Sequence, residues 1–176
     1  MKVLLGVTAS IAIYKALDLT RELRKRSIEV QVLMSNSAAS WISPVLFEAL
    51  SDSPVYAGRD HVKEAMPHIS VREKADLFVI APASADCIAR AAMGRADDII
   101  TTTLLSFSGP RWFAPSMNPF MYAHKAVQKN LQILAEYGYE ILDPQNGEAV
   151  CGDLGKGKMA TVEQILDKII LLQNSI

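Results

Sequence analysis

A histidine, an asparagine and a cysteine stand in sequence settings that could support ligand binding and proton transfer. Asn118 lies between two prolines in the segment PSMNPFMY, residues 115–122, directly after the apolar run 112–114. Proline interrupts helices and sheet ladders, so we expect a rigid, apolar, non-repetitive loop around this amide. Its place at a strand end is where α/β sheets have their ligand crevices. An ordinary proline-rich turn fits the same residues.

His68 and Cys151 are the other two candidates. His68 follows a proline in MPHIS, residues 66–70, just before an expected central strand. A lone histidine can equally be structural or solvent-exposed, and His124, inside a predicted helix, has no comparable setting. Cys151 lies in NGEAVCGDLGKGKM, residues 146–159, whose glycines predict a mobile flap without regular structure. Its Gly-Lys pairs do not form a phosphate-binding P-loop, because the required spacing after a strand is missing.

Apolar runs alternate with amphipathic segments along the chain, and this alternation predicts an α/β fold with a buried parallel sheet. The nearly uncharged helix at 97–107 is expected either in the core or against another subunit. Thr161 and Gln164 form a capping box for the last helix. The predicted strands are 2–7, 29–34, 76–81 and 139–142, and the other predicted helices are about 11–26, 41–50, 70–75, 82–93 and 124–137.

Small polar residues follow the first two predicted strands. The turn GVTAS, residues 6–10, leads into a helix and could hold an anion on the first free helix amides. It lacks the Gly-x-Gly-x-x-Gly dinucleotide fingerprint. Ser35, Asn36 and Ser37 could bind a ribityl chain or a phosphate. In both places the hydroxyl groups could instead simply cap the following helix.

The length and amino-acid composition of the chain limit the possible classes of protein. A chain of 176 residues is expected to form a single domain over 1–176. Lys plus Arg is 18 and Asp plus Glu is 19, so no basic field for nucleic acid exists. The two cysteines form no disulfide framework and fit a reducing cytoplasm. No apolar run approaches the ~18 residues of a membrane span. The 50% hydrophobic content would suit an oligomer.

Several motifs resemble, in order, those of the flavin-dependent cysteine decarboxylases, and the resemblance covers nearly the whole chain. Among the departures from the family pattern, Asp86 replaces Asn, Cys87 replaces Thr, Tyr122 replaces Trp and Lys158 replaces Arg. We expect the Asp86 carboxylate to face the flavin ring edge or a neighbour, and Cys87 to be an inert, half-buried thiol. The motifs are ASIAIYK at 9–15, His-Ile at 68–69, PASADC at 82–87, ADDII at 96–100, PSMNPFMY at 115–122 and CGDLGKGKM at 151–159.

The resemblance implies a three-layer, doubly wound parallel sheet of the flavodoxin-like (Rossmann-like) type that binds FMN. It also implies FMN-dependent decarboxylation of 4′-phospho-N-pantothenoylcysteine to 4′-phosphopantetheine in coenzyme A biosynthesis. In the family, the substrate cysteine is oxidised to a thioaldehyde, carbon dioxide leaves, and the enethiol is reduced. The alternatives are a decarboxylase of C-terminal peptidyl cysteine and a non-catalytic flavin-binding regulatory subunit. From the chain length we expect a standalone decarboxylase rather than a fusion with a synthetase.

The resemblance also assigns roles to individual residues. His68 would assist the first oxidation, Asn118 would bind the substrate carboxylate with Met121 also at the substrate, and Cys151 would donate a proton. No metal site is expected. A homo-oligomer, either a trimer or a dodecamer of trimers, is expected to form the site between subunits. The residues expected to line FMN are Ala9, Ser10, Ile11, Ser35, Asn36, Ser37, Ser84, Ala85, Asp86, Cys87 and Ser116.

Overall fold

The structure, a computed structural model, describes residues 1–58 and 65–175. His61, which the sequence places in a polar surface segment, lies outside the described residues. The strands are β1 (Lys2–Val7), β2 (Glu29–Met34), β3 (Tyr56–Ala57), β4 (Leu77–Ala83), β5 (Arg111–Pro115), β6 (Glu140–Ile141), β7 (Gln145–Glu148) and β8 (Leu154–Lys158). The helices are α1 (Ile13–Lys25), α2 (Asn36–Trp41), α3 (Pro44–Ser51), α4 (Pro67–Ser70), α5 (Ala85–Ala92), α6 (Ile99–Ser106), α7 (Pro119–Ala123), α8 (Lys125–Glu136) and α9 (Val162–Gln173).

A parallel sheet with the order β3-β2-β1-β4-β5-β6 forms the centre of the molecule. Without the short edge strand β3, this is the flavodoxin order, with its switch point between β1 and β4. The predicted doubly wound, flavodoxin-like fold is confirmed. At a switch point the chain leaves neighbouring strands in opposite directions, so a crevice opens at their carboxyl ends.

Helices cover both faces of the sheet, which gives three layers. The alternation of side chains along β1 shows the two faces: Val3, Leu5 and Val7 join the core beneath α1 and α9, whereas Leu4 joins the core beneath α5, α6 and α8. Both faces of the central strands are therefore apolar, as the continuous hydrophobic runs predicted. In the described residues no helix is long and apolar enough to cross a membrane.

Three local predictions were wrong. The glycine-rich segment 146–159 is not an irregular flap, since β7 and β8 pair as an antiparallel hairpin across it. A helix does begin inside the proline-bracketed segment, because Pro119 occupies the first helical position of α7, where no amide hydrogen is needed. The short helix before β4 is α4, upstream of the predicted 70–75, and it contains His68.

The capping box of α9 is confirmed: Thr161 Oγ1 accepts from Gln164 N at 3.1 Å and Gln164 Oε1 accepts from Thr161 N at 3.0 Å. We expect Thr161→Ala to lower the free energy of unfolding by about 1 kcal/mol, because a helix amide loses its acceptor. For a chain of this size that corresponds to a fall in Tm of about 2–4 °C. Thr161→Ser, which keeps the hydroxyl, should melt close to the unsubstituted protein; equal losses in both variants would contradict the capping role.

Candidate active site

Hydrogen bonds between loops join the carboxyl ends of the central strands. Thr8, directly after β1, donates through Oγ1 to Pro82 O at 2.7 Å and accepts from Ser84 N at 2.9 Å. Ser116 N, directly after β5, donates to Ala83 O at 3.0 Å. These contacts fix the loops after β1, β4 and β5 in one relative position. Thr8 was not among the predicted site residues, although it lies in the turn that the sequence singled out.

Ser10 and Ser116 connect the turn before α1 with the loop before α7. Their hydroxyls lie 2.8 Å apart, and both side chains are buried. The cap position of α1 is Ala12, so within the described chain no side chain caps this helix. Ser10 Oγ accepts from Ala12 N only at 3.4 Å. Ile13 N and Lys15 N already donate to Ser10 O and Ala12 O, both at 2.9 Å, so the hydroxyls of Ser10 and Ser116 are the side-chain donors at this end of the crevice.

Ser35 and Ser84 act as helix caps, and for Ser35 this is the simpler interpretation of the sequence. Ser35 Oγ accepts from Ala38 N at 3.1 Å, at the start of α2. Ser84 Oγ accepts from the amide of Cys87 at 3.3 Å, at the start of α5. A hydroxyl that accepts such a bond still has its own hydrogen to donate, so capping leaves both serines able to bind a ligand oxygen.

Asp86 pairs with a cation on its own helix. Its carboxylate lies 2.9 Å from Arg90, which also contacts Asp97 at 3.1 Å and Asp98 at 2.9 Å. Asp98 caps α6 by accepting from the amide of Thr101 at 2.8 Å. Asp86, which stands where the family has Asn, therefore belongs to a network that joins α5 to α6, and Arg90 offsets its charge.

Cys87 is fully buried in the core beneath α5, not half-buried as expected. Burial, followed by the negative charge of Asp98, raises the pKa of its thiol to about 12. A thiol in this state is not a nucleophile at neutral pH, which agrees with the inert character expected for it.

Asn118, Cys151 and Asp153 form a closed triangle of hydrogen bonds at the tip of the hairpin. Asn118 Nδ2 donates to Asp153 Oδ2 at 2.5 Å and to Cys151 Sγ at 3.1 Å, and Cys151 Sγ lies 3.2 Å from the same carboxylate oxygen. The Oδ1 atom of Asn118 accepts from Phe120 N at 2.8 Å and so caps α7. Two predicted site residues are thus in contact. Asp153 was missed, although it stands in the Cys-Gly-Asp motif.

Close backbone contact holds the hairpin against the Asn118 loop. Met117 N donates to Gly157 O at 3.0 Å. A Cβ at Gly157 would lie 2.5 Å from Met117 O and 3.3 Å from Pro119 N. Only a glycine allows β8 to come this near to the loop, which brings Cys151 to Asn118.

His68 is placed apart from this triangle. Its carbonyl accepts from Ser106 Oγ at 3.4 Å, because α4 packs against α6. In the described part of the chain no hydrogen bond joins the His68 side chain to Asn118 or Cys151.

Two lysines give positive charge to the side of the crevice near α1. Partial burial, followed by the positive charge of Lys158, lowers the pKa of Lys15. Among the ion pairs of the described residues, neither lysine has a carboxylate partner. Like charges held together without a counter-charge favour an anionic ligand.

These donors fit FMN. A phosphate suits the hydroxyls of Ser10 and Ser116 beside the positive end of the α1 dipole, and a ribityl chain suits Ser35 and Ser84. The exposed side chain of Ile11 offers apolar surface for a ring system. Across the described residues, no group of three or more His, Cys, Asp or Glu side chains could hold a metal ion.

Comparisons with known proteins agree with this fold and site. Residues 1–173 match the flavoprotein family, so the chain belongs to this family. A Streptococcus mutans protein named "Probable phosphopantothenoylcysteine decarboxylase" is 40% identical over 172 residues, which is 96% of this chain and 96% of that protein. The bifunctional coenzyme A biosynthesis protein CoaBC of Bacillus subtilis is 44% identical over 168 residues, or 93% of this chain. The resemblance to cysteine decarboxylases is confirmed.

Comparison with solved structures also indicates similarity to cysteine decarboxylases. The crystal structure of the FMN-dependent cysteine decarboxylase SpaF matches with a TM-score of 0.83 and 28% identity, over 98% of this chain and 97% of that one. The chain spans 96% of the Streptococcus protein but only 41% of the Bacillus protein.

We expect Gly157→Ala to separate the hairpin from the Asn118 loop, because the new Cβ would overlap Met117 O, a backbone atom that cannot rotate away. Turnover should fall by about 100-fold, since a displacement of ~1 Å at a reacting group has this effect. The measurement is the rate of decarboxylation together with Tm.

Gly138→Ala is the matched control. It places a Cβ on a left-handed residue (φ 81°) with nothing within 4 Å. It should cost stability, about 1–2 kcal/mol, and leave turnover unchanged. If Gly157→Ala retained full activity, close docking of the hairpin would not be required.

Proposed function

We propose that the chain catalyses FMN-dependent decarboxylation of 4′-phospho-N-pantothenoylcysteine to 4′-phosphopantetheine in the cytoplasm, as a single flavoprotein domain over residues 1–176. The observation that carries the proposal is the contact between Asn118 Nδ2 and Cys151 Sγ, which lie 3.1 Å apart at the tip of the hairpin. It joins an amide that can bind a carboxylate to a thiol that can donate a proton. The similarity to the Streptococcus protein, at 40% identity, supports the same reaction.

The reaction needs an electron sink, because loss of carbon dioxide from a cysteine acylated on its nitrogen leaves a carbanion without one. FMN, when bound, supplies the two-electron oxidation of the cysteine side chain and its later reversal. The chain's own residues supply binding, orientation and proton transfer. The hydroxyls of Ser10, Ser35, Ser84 and Ser116 would hold the cofactor at the carboxyl ends of the strands, with Ala9, Ile11, Asn36, Ser37, Ala85 and Asp86 around it. The side chain of Cys87, which was expected to line FMN, is buried in the core instead.

Asn118 would bind the substrate carboxylate through Nδ2. Since Oδ1 is already engaged as the cap of α7, the amide cannot turn to present its oxygen, and its two N–H hydrogens face the site. An amide donor holds a carboxylate without neutralising it, so the charge remains available to leave as carbon dioxide. Met121, half-exposed on α7, would lie beside the rest of the substrate.

Cys151 would protonate the enethiol so that it can be reduced. Its side chain is exposed at the hairpin tip and lies close to Asn118, where the substrate carboxylate would leave. General acid catalysis requires the donor within hydrogen-bonding reach of the atom that it protonates, and the contact of Cys151 with Asn118 supports such a placement.

His68 would assist the oxidation from a neighbouring subunit. In one protomer it lies on α4, away from the triangle of Asn118, Cys151 and Asp153. Large apolar side chains around the site, including Phe120 at 73% and Ile11 at 65% exposure, are suited to burial between copies. A homo-oligomer, a trimer or a dodecamer of trimers, would bring this histidine and these surfaces together.

We expect the purified yellow protein to convert 4′-phospho-N-pantothenoylcysteine to 4′-phosphopantetheine, with a mass loss corresponding to carbon dioxide. Cys151→Ser should release carbon dioxide but stop at the oxidised enethiol, because the proton for its reduction is missing. Mass spectrometry under anaerobic conditions distinguishes the two products. Glu148→Gln, on the same hairpin but exposed, should behave as the unsubstituted protein.

A yellow protein that leaves this substrate intact but decarboxylates a peptide with a C-terminal cysteine would establish the peptidyl-cysteine alternative. A yellow protein inert toward both substrates would support a non-catalytic flavin-binding subunit. A protein that binds no flavin would overturn the assignment of the cofactor.

Sharing of the site between subunits predicts complementation. We expect His68→Asn and Cys151→Ser to be inactive in formation of 4′-phosphopantetheine when prepared separately. Co-expressed, they should recover part of the activity, because a mixed interface can combine an intact histidine with an intact cysteine. The measurement is product formation together with the mass of the assembly by analytical ultracentrifugation. Mixed assemblies that stay inactive would argue that both residues act within one protomer.

A further inference from the structure

We propose that Asp153 is a positioning residue, an inference that rests on the proposed function. In the substrate-free protein the Asp153 carboxylate accepts the hydrogen bond from the Asn118 amide that the substrate carboxylate would otherwise accept. It also holds the Cys151 thiol by accepting the S–H hydrogen. Substrate binding displaces the Asp153 side chain from Asn118. The same residue thus keeps the empty site in order and yields its place to the substrate.

The hydrogen-bonding capacity of Asn118 leads to this exchange. Its Oδ1 is used by Phe120 N at 2.8 Å, so only the Nδ2 hydrogens remain for a ligand. Asp153 Oδ2 lies 2.5 Å from Nδ2, in the position of a bound carboxylate. A substrate carboxylate at the same nitrogen would bring two negative charges together, and like charges sharing a site repel. One of them must leave.

The second role follows from the contact with the thiol. Cys151 Sγ lies 3.2 Å from Asp153 Oδ2. An ionised carboxylate only accepts hydrogen bonds, so the thiol must be the donor in this pair. Asp153 therefore orients the S–H group of Cys151 at the place where the thiol meets Asn118.

The turn at the hairpin tip allows the side chain to move while the backbone stays in place. Asp153 O accepts from Ala149 N at 2.8 Å, and Ala149 O accepts from Gly152 N at 2.8 Å. These bonds hold the turn. In the described part of the chain no lysine or arginine pairs with Asp153, so rotation of its side chain breaks contacts to Asn118 and Cys151 alone.

The test compares Asp153→Asn with Glu148→Gln, the same loss of charge at an exposed position of the same hairpin. The first measurement uses two ligands that cannot form a thioaldehyde, because each has a hydroxyl in place of the thiol. They are 4′-phospho-N-pantothenoylserine, which keeps the carboxylate, and 4′-phospho-N-pantothenoylethanolamine, which lacks it. Their Kd values are obtained from the change in flavin absorbance of the holoprotein.

In Asp153→Asn the serine ligand should gain about tenfold in affinity relative to the ethanolamine ligand, since it no longer competes with a charged group. General damage to the site would weaken both ligands and leave their ratio unchanged, so the ratio reports the competition itself. Glu148→Gln should keep the ratio of the unsubstituted protein. If the ratio of the two Kd values in Asp153→Asn equals that of the unsubstituted protein, the proposal that substrate displaces Asp153 is wrong.

The second measurement is the rate at which iodoacetamide alkylates Cys151 at pH 7.5, read by mass spectrometry of the native protein. Cys87 serves as the internal reference, because it is fully buried and should not react. Asp153→Asn should raise the rate about threefold or more, since the sulfur is no longer held by its hydrogen bond to the carboxylate and becomes free to attack. An unchanged or lower rate would overturn the contact between the carboxylate and the thiol.

The two assignments fail in different ways. If the unsubstituted protein and Glu148→Gln both leave 4′-phospho-N-pantothenoylcysteine intact, the proposed function fails, whatever the alkylation rates show. If both turn the substrate over and Asp153→Asn changes neither the affinity ratio nor the alkylation rate, only the role of Asp153 fails.

Discussion

The contact between Gly157 and the loop before α7 is the constraint on which the candidate site depends. The parallel sheet alone can bring together only the residues that follow its own strands. Cys151 lies on a separate two-stranded sheet and reaches Asn118 because β8 lies directly against the backbone of Met117, where a Cβ would be 2.5 Å from the carbonyl oxygen. One backbone hydrogen bond, Met117 N to Gly157 O, accompanies this approach. Hairpin and sheet together make the site.

Asn118 illustrates how a structural role can prepare a functional one. As the cap of α7 it gives its oxygen to the helix, and this fixes which edge of the amide faces the crevice. Pro119 supports the arrangement because it begins the helix without an amide hydrogen of its own. The donor edge is then held for an anion before any ligand arrives. Pre-orientation of this kind lowers the entropy lost on binding.

The sequence was sufficient for the sheet and for part of the site. Continuous apolar runs predicted β1 and β4, and the resemblance to the decarboxylases pointed to Asn118 and Cys151, which the structure brings into contact. The hairpin was missed because glycines were taken as evidence against regular structure, whereas Gly157 is needed for close approach. Asp153 was missed because its partner Asn118 lies 35 residues away, on another element. Such contacts depend on tertiary docking, which no local pattern records.

The two departures from the family motif at the start of α5 fit into the structure through one arginine. An aspartate at position 86 would repel a bound phosphate if its charge were free. Arg90, one turn later, binds it at 2.9 Å and also binds Asp98, the cap of α6. The charge is therefore partly offset by Arg90, which also connects α5 to α6. Cys87 faces the opposite way, into the core, where a thiol packs as a small apolar group. Neither substitution changes the donors that the crevice offers to a cofactor, since Ser84 and Thr8 keep their contacts beside it.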